Sequence, residues 1–229
     1  APETWCVMGN CYSLQKEHDT ALRFFQRALQ LDPKCAYAHT LCGHEYFMNE
    51  DFEKGLVCYR NAIRIDARHY NAWYGVGQVY MRQEKYDLAE YHFRRALKIN
   101  PRSSVLYCFL GMTLHSLTRH HEALACLQHA IDQNNKNPLA RYEKATVLAS
   151  GEQYEEALAE LQALKDSAPR EASVYYQMGK MYKKLDQPNQ AMIQYFIALD
   201  LKPSSSDAAL IKSAIEKLTV PNACEEDDL

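Results

Sequence analysis

Residues 70–103, YNAWYGVGQVYMRQEKYDLAEYHFRRALKINPRS, decide how the rest of the chain is read. Trp73, Val76, Gly77 and Tyr80 fall at helical spacing, and so do Ala89, Phe93 and Ala96. Pro101 then ends the second helix, since it lacks an N–H and disfavours helical geometry in the residue before it. Gly77 is one member of a series of small residues spaced 34 apart: Gly9, Gly43, Gly77, Gly111, Ala145 and Gly179. A second series keeps step twelve residues later, at Ala21, Gly55, Ala89, Ala123, Ala157 and Ala191. Small residues at both places are expected to bring paired helices together backbone to backbone. The chain therefore reads as six copies of one helical hairpin, stacked as a quasi-linear unit.

Residues 2–35 repeat the pattern with Trp5, Met8, Gly9, Tyr12, Ala21, Phe25, Ala28 and Pro33, and residues 172–205 with Tyr175, Met178, Gly179, Tyr182, Ala191, Tyr195, Ala198 and Pro203. At these slots the pattern resembles the tetratricopeptide repeat (TPR). The expected architecture is an all-α, right-handed α-solenoid of six TPR hairpins, at 2–35, 36–69, 70–103, 104–137, 138–171 and 172–205. A capping helix follows over 206–219, and 220–229 forms an acidic tail ending in Glu225, Glu226, Asp227 and Asp228. Repeat five departs most, with Arg141 and Lys144 in its first helix and Leu164 in place of a small residue, so altered helix spacing is expected there.

Of the 229 residues 47% are hydrophobic, enough for a continuous core, and 8 Gly with 8 Pro leave most of the chain free to be helical. A formal charge of −3 from near-balanced acids and bases gives no footprint for nucleic acid. No apolar run is long enough to cross a bilayer and no leader precedes Trp5, so a soluble, unsecreted protein is expected. The 8 cysteines follow no metal-ligand spacing and read as reduced thiols. The start at Ala1-Pro2 suggests a fragment or a processed product. Nine histidines raise the question of a metal, but His39 and His44 are five apart rather than four, and His120-His121, the neighbours of His115, fall at the turn between the helices of repeat four, so no metal is expected. Phosphate-binding, hydrolase and metalloprotease motifs are absent, and neither catalytic residues nor cofactors are expected.

In the TPR resemblance the first helices line a concave groove, presenting the second, fifth, ninth and twelfth residues of each repeat. That places Asn10, Tyr37, His44, Phe47, Asn71, Tyr74, Gln78 and Met81 in it, with Cys6, Thr40 and Cys108 also among the fifth and later positions. Aromatic rings and methionine offer apolar contact while the amides suit an extended peptide. Chaperone-binding TPRs place Lys in the first repeat's fifth position, where this chain has Cys6.

Two stretches go beyond the general TPR pattern: Thr4 through Gln15, and Arg68 through Gly77 with Gln83-Glu84-Lys85-Tyr86 after it. With Gly43-His44-Glu45 and Asn137-Pro138-Leu139 they resemble the cell division cycle protein 27 family, TPR subunits of the anaphase-promoting complex (cyclosome). That resemblance implies a non-catalytic scaffold of a ubiquitin ligase, in nucleus and cytoplasm, whose partners are the other subunits of the complex and the carboxyl-terminal Ile-Arg tails of co-activators. Tyr37, Phe47, Tyr74 and Met81 are the candidates for the Ile niche, Glu45 or Asp51 for the guanidinium, and Asn10, Asn71 and Arg82 for the terminal carboxylate. It also implies homodimerisation through an amino-terminal region absent here. The alternative is a TPR adaptor of another assembly, such as a chaperone co-factor.

Overall fold

A computed structural model describes residues 1–219; the acidic tail at 220–229, with Cys224, lies outside the described residues. Thirteen α-helices account for the described residues: α1 Pro2–Leu14, α2 His18–Leu31, α3 Ala36–Met48, α4 Phe52–Ile65, α5 Tyr70–Arg82, α6 Tyr86–Ile99, α7 Ser104–Ser116, α8 His120–Gln133, α9 Pro138–Ser150, α10 Tyr154–Ser167, α11 Ala172–Lys184, α12 Pro188–Asp200 and α13 Ser205–Thr219. The fold is an all-α TPR solenoid. Its chain divides into two compact units, Ala1–Cys126 and Leu127 onward.

The same turn closes the first helix of each hairpin, α1, α3, α5, α7, α9 and α11. Lys16, Glu50, Glu84, Thr118, Glu152 and Asp186, 34 residues apart, all sit at φ between 56° and 63°. In the first hairpin the Glu17 N–H donates to Tyr12 O at 3.0 Å and the Lys16 N–H to Ser13 O at 2.9 Å, which satisfies carbonyls that the helix end leaves orphaned. The same pair of bonds recurs as Asp51 to Tyr46 with Glu50 to Phe47, and as Lys85 to Tyr80 with Glu84 to Met81. Between repeats an Asx turn does the corresponding work: Asp32, Asp66 and Asn134 side chains accept from the main-chain N–H of Lys34, Arg68 and Lys136.

The residue in the Trp slot reaches back over that loop. His39 Nε2 donates to Pro33 O at 3.1 Å, Trp73 Nε1 to Ala67 O at 3.0 Å and the Tyr175 hydroxyl to Pro169 O at 3.0 Å. Three different side chains therefore make one tether, each six residues back along the chain.

Packing corrects one expectation. The two small-residue series do meet backbone to backbone in hairpin two, where a Cβ added at Gly55 would lie 3.4 Å from Gly43 O, but close approach is not the whole role of the first series. The first series also seats a ring, since a Cβ at Gly9, Gly43, Gly77 or Gly179 would come within 2.3–2.6 Å of Phe25, Tyr59, Phe93 or Tyr195. Those four rings are fully buried. In repeat five the ring slot holds Leu161, which leaves room for the extra methyl of Ala145. Leu164, which prompted the expectation of altered spacing, is itself buried in the core; α9 and α10 keep the 13- and 14-residue lengths of their counterparts but meet less extensively than the helices of hairpins one, two, three and six. The seven described cysteines are free thiols, three of them buried, and burial pushes the Cys6 and Cys58 thiols up to about 11.

Candidate functional site

All ten groove candidates fall in the first unit, on α1, α3 and α5, and α3 touches both α1 and α5. The contacts join them mostly in pairs. Asn10 Nδ2 donates to the Tyr37 hydroxyl at 3.3 Å, and Tyr37 is 47% exposed. Phe47 packs against Phe52 at 5.8 Å between ring centroids, and the Arg82 guanidinium lies 6.0 Å from the Phe47 ring. Tyr74 meets Phe109 edge-on at 5.2 Å and Phe93 at 6.0 Å, and hydrogen-bonds Gln78, one helical turn away. Burial raises the Tyr74 phenol well above its ordinary range. Met81 Sδ lies 3.6 Å from the Thr113 hydroxyl, whose proton goes to Phe109 O at 2.7 Å. Asn71 is half-buried and its amide makes no hydrogen bond among the described residues.

Three side chains sit differently from the reading of the sequence. Glu45 is turned inward and is 3% exposed. Its Oε1 accepts from Ser13 at 2.7 Å and its Oε2 lies 2.7 Å from His18 Nδ1, so its hydrogen-bonding capacity is spent on joining the first hairpin to the second. Asp51 caps α4, accepting from the Lys54 N–H at 3.2 Å and from Lys54 Nζ at 2.6 Å, and those bonds hold its carboxyl below the usual range. Neither acid is free for an incoming guanidinium. His44 also faces inward: the buried Tyr59 hydroxyl is 2.8 Å from its Nδ1, and burial, then neighbouring His69, lowers its pKa to about 4. It remains neutral at physiological pH.

The fifth position of repeats one, two and four is likewise more buried than the resemblance implies. Cys6 and Thr40 are 2% exposed and Cys108 fully buried, so at those three places it packs rather than lines. Where the slot holds tyrosine, as at Tyr74, the ring is only half-buried. Residues missed from sequence include His18, which with the expected groove residue Ser13 holds Glu45, and Phe109 and Thr113 of α7, which back Tyr74 and Met81. Only the repeat phase could have signalled them, because their partners lie 27 to 35 residues away.

His115 and His120 do meet, with Nδ1 atoms 3.1 Å apart across the α7–α8 turn. Among the described residues no group of three or more His, Cys, Asp or Glu is arranged to hold a metal. No described helix is long and apolar enough to cross a membrane.

The face that remains is half apolar and half hydrogen-bonding. It offers the rings of Tyr37, Phe47 and Tyr74, the thioether of Met81, the unpaired Asn71 amide and an Arg82 with no carboxylate partner among the described residues. Such a surface suits an extended polypeptide end better than a small molecule.

Comparison with known proteins agrees with the fold. The tetratricopeptide repeat family profile matches residues 2–35 and 70–103, and related profiles of the same repeat match 114–181 and 172–205, together well over half of the chain. Cell division cycle protein 27 homolog B of Arabidopsis thaliana is 54% identical over 226 residues, 99% of this chain and 30% of that protein. Homolog A of the same plant is 51% identical over 97% of the chain and 31% of its own length. The chain thus spans about 30% of the length of these curated relatives. Among solved structures, the APC/C hetero-tetramer Cut9-Hcn1 superposes with a TM-score of 0.84 at 16% identity, covering 96% of this chain and 43% of that one, a likeness of fold. The chain belongs to the tetratricopeptide repeat family and resembles cell division cycle protein 27.

Proposed function

We propose that this chain is a non-catalytic scaffold module of an anaphase-promoting complex, and that the face built by α1, α3 and α5 receives the carboxyl-terminal Ile-Arg tail of a co-activator. The observation that carries the reading is the 54% identity to a cell division cycle protein 27 homolog across 99% of the chain. Other subunits of the complex are the remaining partners, homodimerisation belongs to segments outside this chain, and the site of action is nucleus and cytoplasm.

The geometry supports a division of labour. Phe47, Tyr74 and Met81 provide the apolar contact for an isoleucine side chain. Asn71, at the start of α5, is the donor for a terminal carboxylate, and Arg82, about 16 Å further along the same helix and beside Phe47, is a donor for a main-chain carbonyl of the tail. With Glu45 and Asp51 already engaged, the guanidinium is received by the exposed ring of Tyr37, as a cation over a π face.

Calorimetric titration with a peptide ending Ile-Arg and with its carboxyl-amidated twin tests this. The free acid should bind and the amide should lose most of the affinity. Asn71→Ala should weaken the free acid by about 1–3 kcal/mol, because a buried charged terminus is left short of a donor. Equal binding of both peptides, or an unaffected Asn71→Ala protein, rejects the groove. Tight binding of an acidic chaperone tail instead would favour the chaperone co-factor alternative.

A further inference from the structure

Away from the groove, a cleft of about 530 Å³ opens beside the α2–α3 loop. Pro33 and Lys34 of the loop, His39 of α3, and Asn61, Arg64 and Ile65 of α4 line it. Asn61, Arg64 and Ile65 share one face of α4 at i, i+3 and i+4. Neither the Lys34 ammonium nor the Arg64 guanidinium has a carboxylate partner among the described residues, and both side chains are exposed. The nearest acid in the loop, Asp32, spends Oδ1 on the Lys34 main-chain N–H. His39 donates through Nε2 to Pro33 O, and its Nδ1 is buried without a hydrogen-bond partner among the described residues.

The second unit supplies a partial comparison. A cleft of about 390 Å³ surrounds Asn135 and Arg141, the residues that the 34-residue period makes equivalent to Pro33 and His39, while its remaining walls come from α8 and Glu160 and not from counterparts of Lys34, Asn61, Arg64 and Ile65. There the cation is neutralised from within: Arg141 bonds Glu160 at 2.9 Å, and Asp132 also lines the walls. The period places Asp166 where the first cleft has Arg64.

We propose that the Lys34–Arg64 cleft is a binding site for a phosphoserine or phosphothreonine side chain of a partner polypeptide. Two cations and the Asn61 amide match the phosphoryl oxygens, and the Pro33 and Ile65 walls take the apolar residue beside it. A fork-shaped guanidinium pairs with two phosphoryl oxygens at once, which makes Arg64 the principal contact.

The test is a ¹⁵N-resolved NMR titration of the whole chain with three probes: inorganic phosphate, an acetylated phosphoserine–leucine dipeptide, and the same dipeptide unphosphorylated. The phosphorylated dipeptide should shift the amides of Lys34, His39, Asn61 and Arg64, leave Asn135, Arg141 and Glu160 unmoved, and bind more tightly than inorganic phosphate. Arg64→Asp, which installs the residue found at 166, should weaken it about tenfold or more, as expected for exchanging a charge-assisted pair for a repulsion. Arg64→Lys should recover part of the loss, and an unchanged melting temperature shows that both variants fold. Equal shifts at the two clefts, equal binding of the unphosphorylated dipeptide, or an unaffected Arg64→Asp protein overturns the proposal. Phosphate binding as tightly as the phosphorylated dipeptide does so too, by making the site one for a free anion.

Discussion

In the first unit Lys34 and Arg64 face no carboxylate, whereas in the second Arg141 and Lys144 share Glu160, at 2.9 and 2.5 Å. The core varies by hairpin and not by unit: hairpins one, two and three in the first unit and six in the second seat an aromatic ring against glycine, and hairpin five seats Leu161 beside Ala145. The histidines do divide, since His44, His69, His92 and His115, all pulled down by burial, belong to the first unit. One backbone design therefore carries two chemistries. The repeat specifies helices and turns, and what occupies each slot determines whether a place is internally neutralised or left to be satisfied by a partner.

The sharpest way to break the comparison is to exchange the core pairings. Gly77→Ala places a methyl 2.6 Å from a Phe93 ring atom, and the ring is enclosed on all sides. Overpacking of this kind costs about 3 kcal/mol at the upper end of its range, to be read from urea unfolding midpoints. Combining it with Phe93→Leu reproduces the pair of hairpin five, and the two losses should then fall short of additive by about 1 kcal/mol or more. Strict additivity would mean that the ring does not exclude the methyl.

Acid should separate the units next. His44 and His92 have pKa values lowered to about 4, chiefly by burial, with His69 and Arg60 respectively adding to it. Unfolded histidine titrates near pH 6.5, so the unfolded chain takes up protons first. The stability that these neutral rings contribute is present above about pH 6.5 and is lost as the pH falls from there toward about 4. In the second unit Glu143 acts with the opposite sign, since burial raises its carboxyl and lowering the pH favours its neutral folded form. Hydrogen exchange at pH 7 and pH 5, corrected for intrinsic rates, should show protection lost in α3 to α6 before α9 to α12. His44→Gln should flatten the first response, and simultaneous loss in both units would remove the distinction.

Glu160→Gln probes the neutralised side of the contrast. Arg141 and Lys144 are about four-fifths buried, and removing the carboxylate strands both charges. A loss of about 1–2 kcal/mol is expected, below the range for a fully buried pair. Glu90→Gln in the first unit, where the partners Arg94 and Arg119 are 46% and 40% exposed, should cost less than about 1 kcal/mol.

How much of this was legible in the sequence depends on the distance over which a residue finds its partner. Helices and turns were readable because Gly77, Ala89 and Pro101 act on their own neighbourhoods and recur in phase. Glu45 was misplaced because helical position alone left it a groove candidate, while Ser13 and His18, in the preceding repeat, draw it inside. The first glycine series was only half read for a related reason, since Gly43 meets both the Gly55 backbone and the Tyr59 ring. A small residue announces that something large or close is opposite, but not whether that is a ring or a backbone. The second cleft shows the same limit: Arg141 and Lys144 looked like departures from the pattern, and become intelligible only with Glu160 beside them.

The turns offer the mildest perturbation and a change of sign. Glu50 is held at φ 60°, a conformation that costs a residue with a Cβ about 1–2 kcal/mol and glycine almost nothing. Glycine also enlarges the freedom of the unfolded chain, which returns about 0.4–1 kcal/mol of the gain. Glu50→Gly should therefore stabilise the protein by about 0.5–1 kcal/mol, and Glu152→Gly in the second unit by the same amount, since the two turns share dihedral angles and hydrogen bonds. Equal shifts in thermal midpoint would show that the units differ in their side chains over a common backbone. A shift at one turn alone would place the difference in the backbone itself.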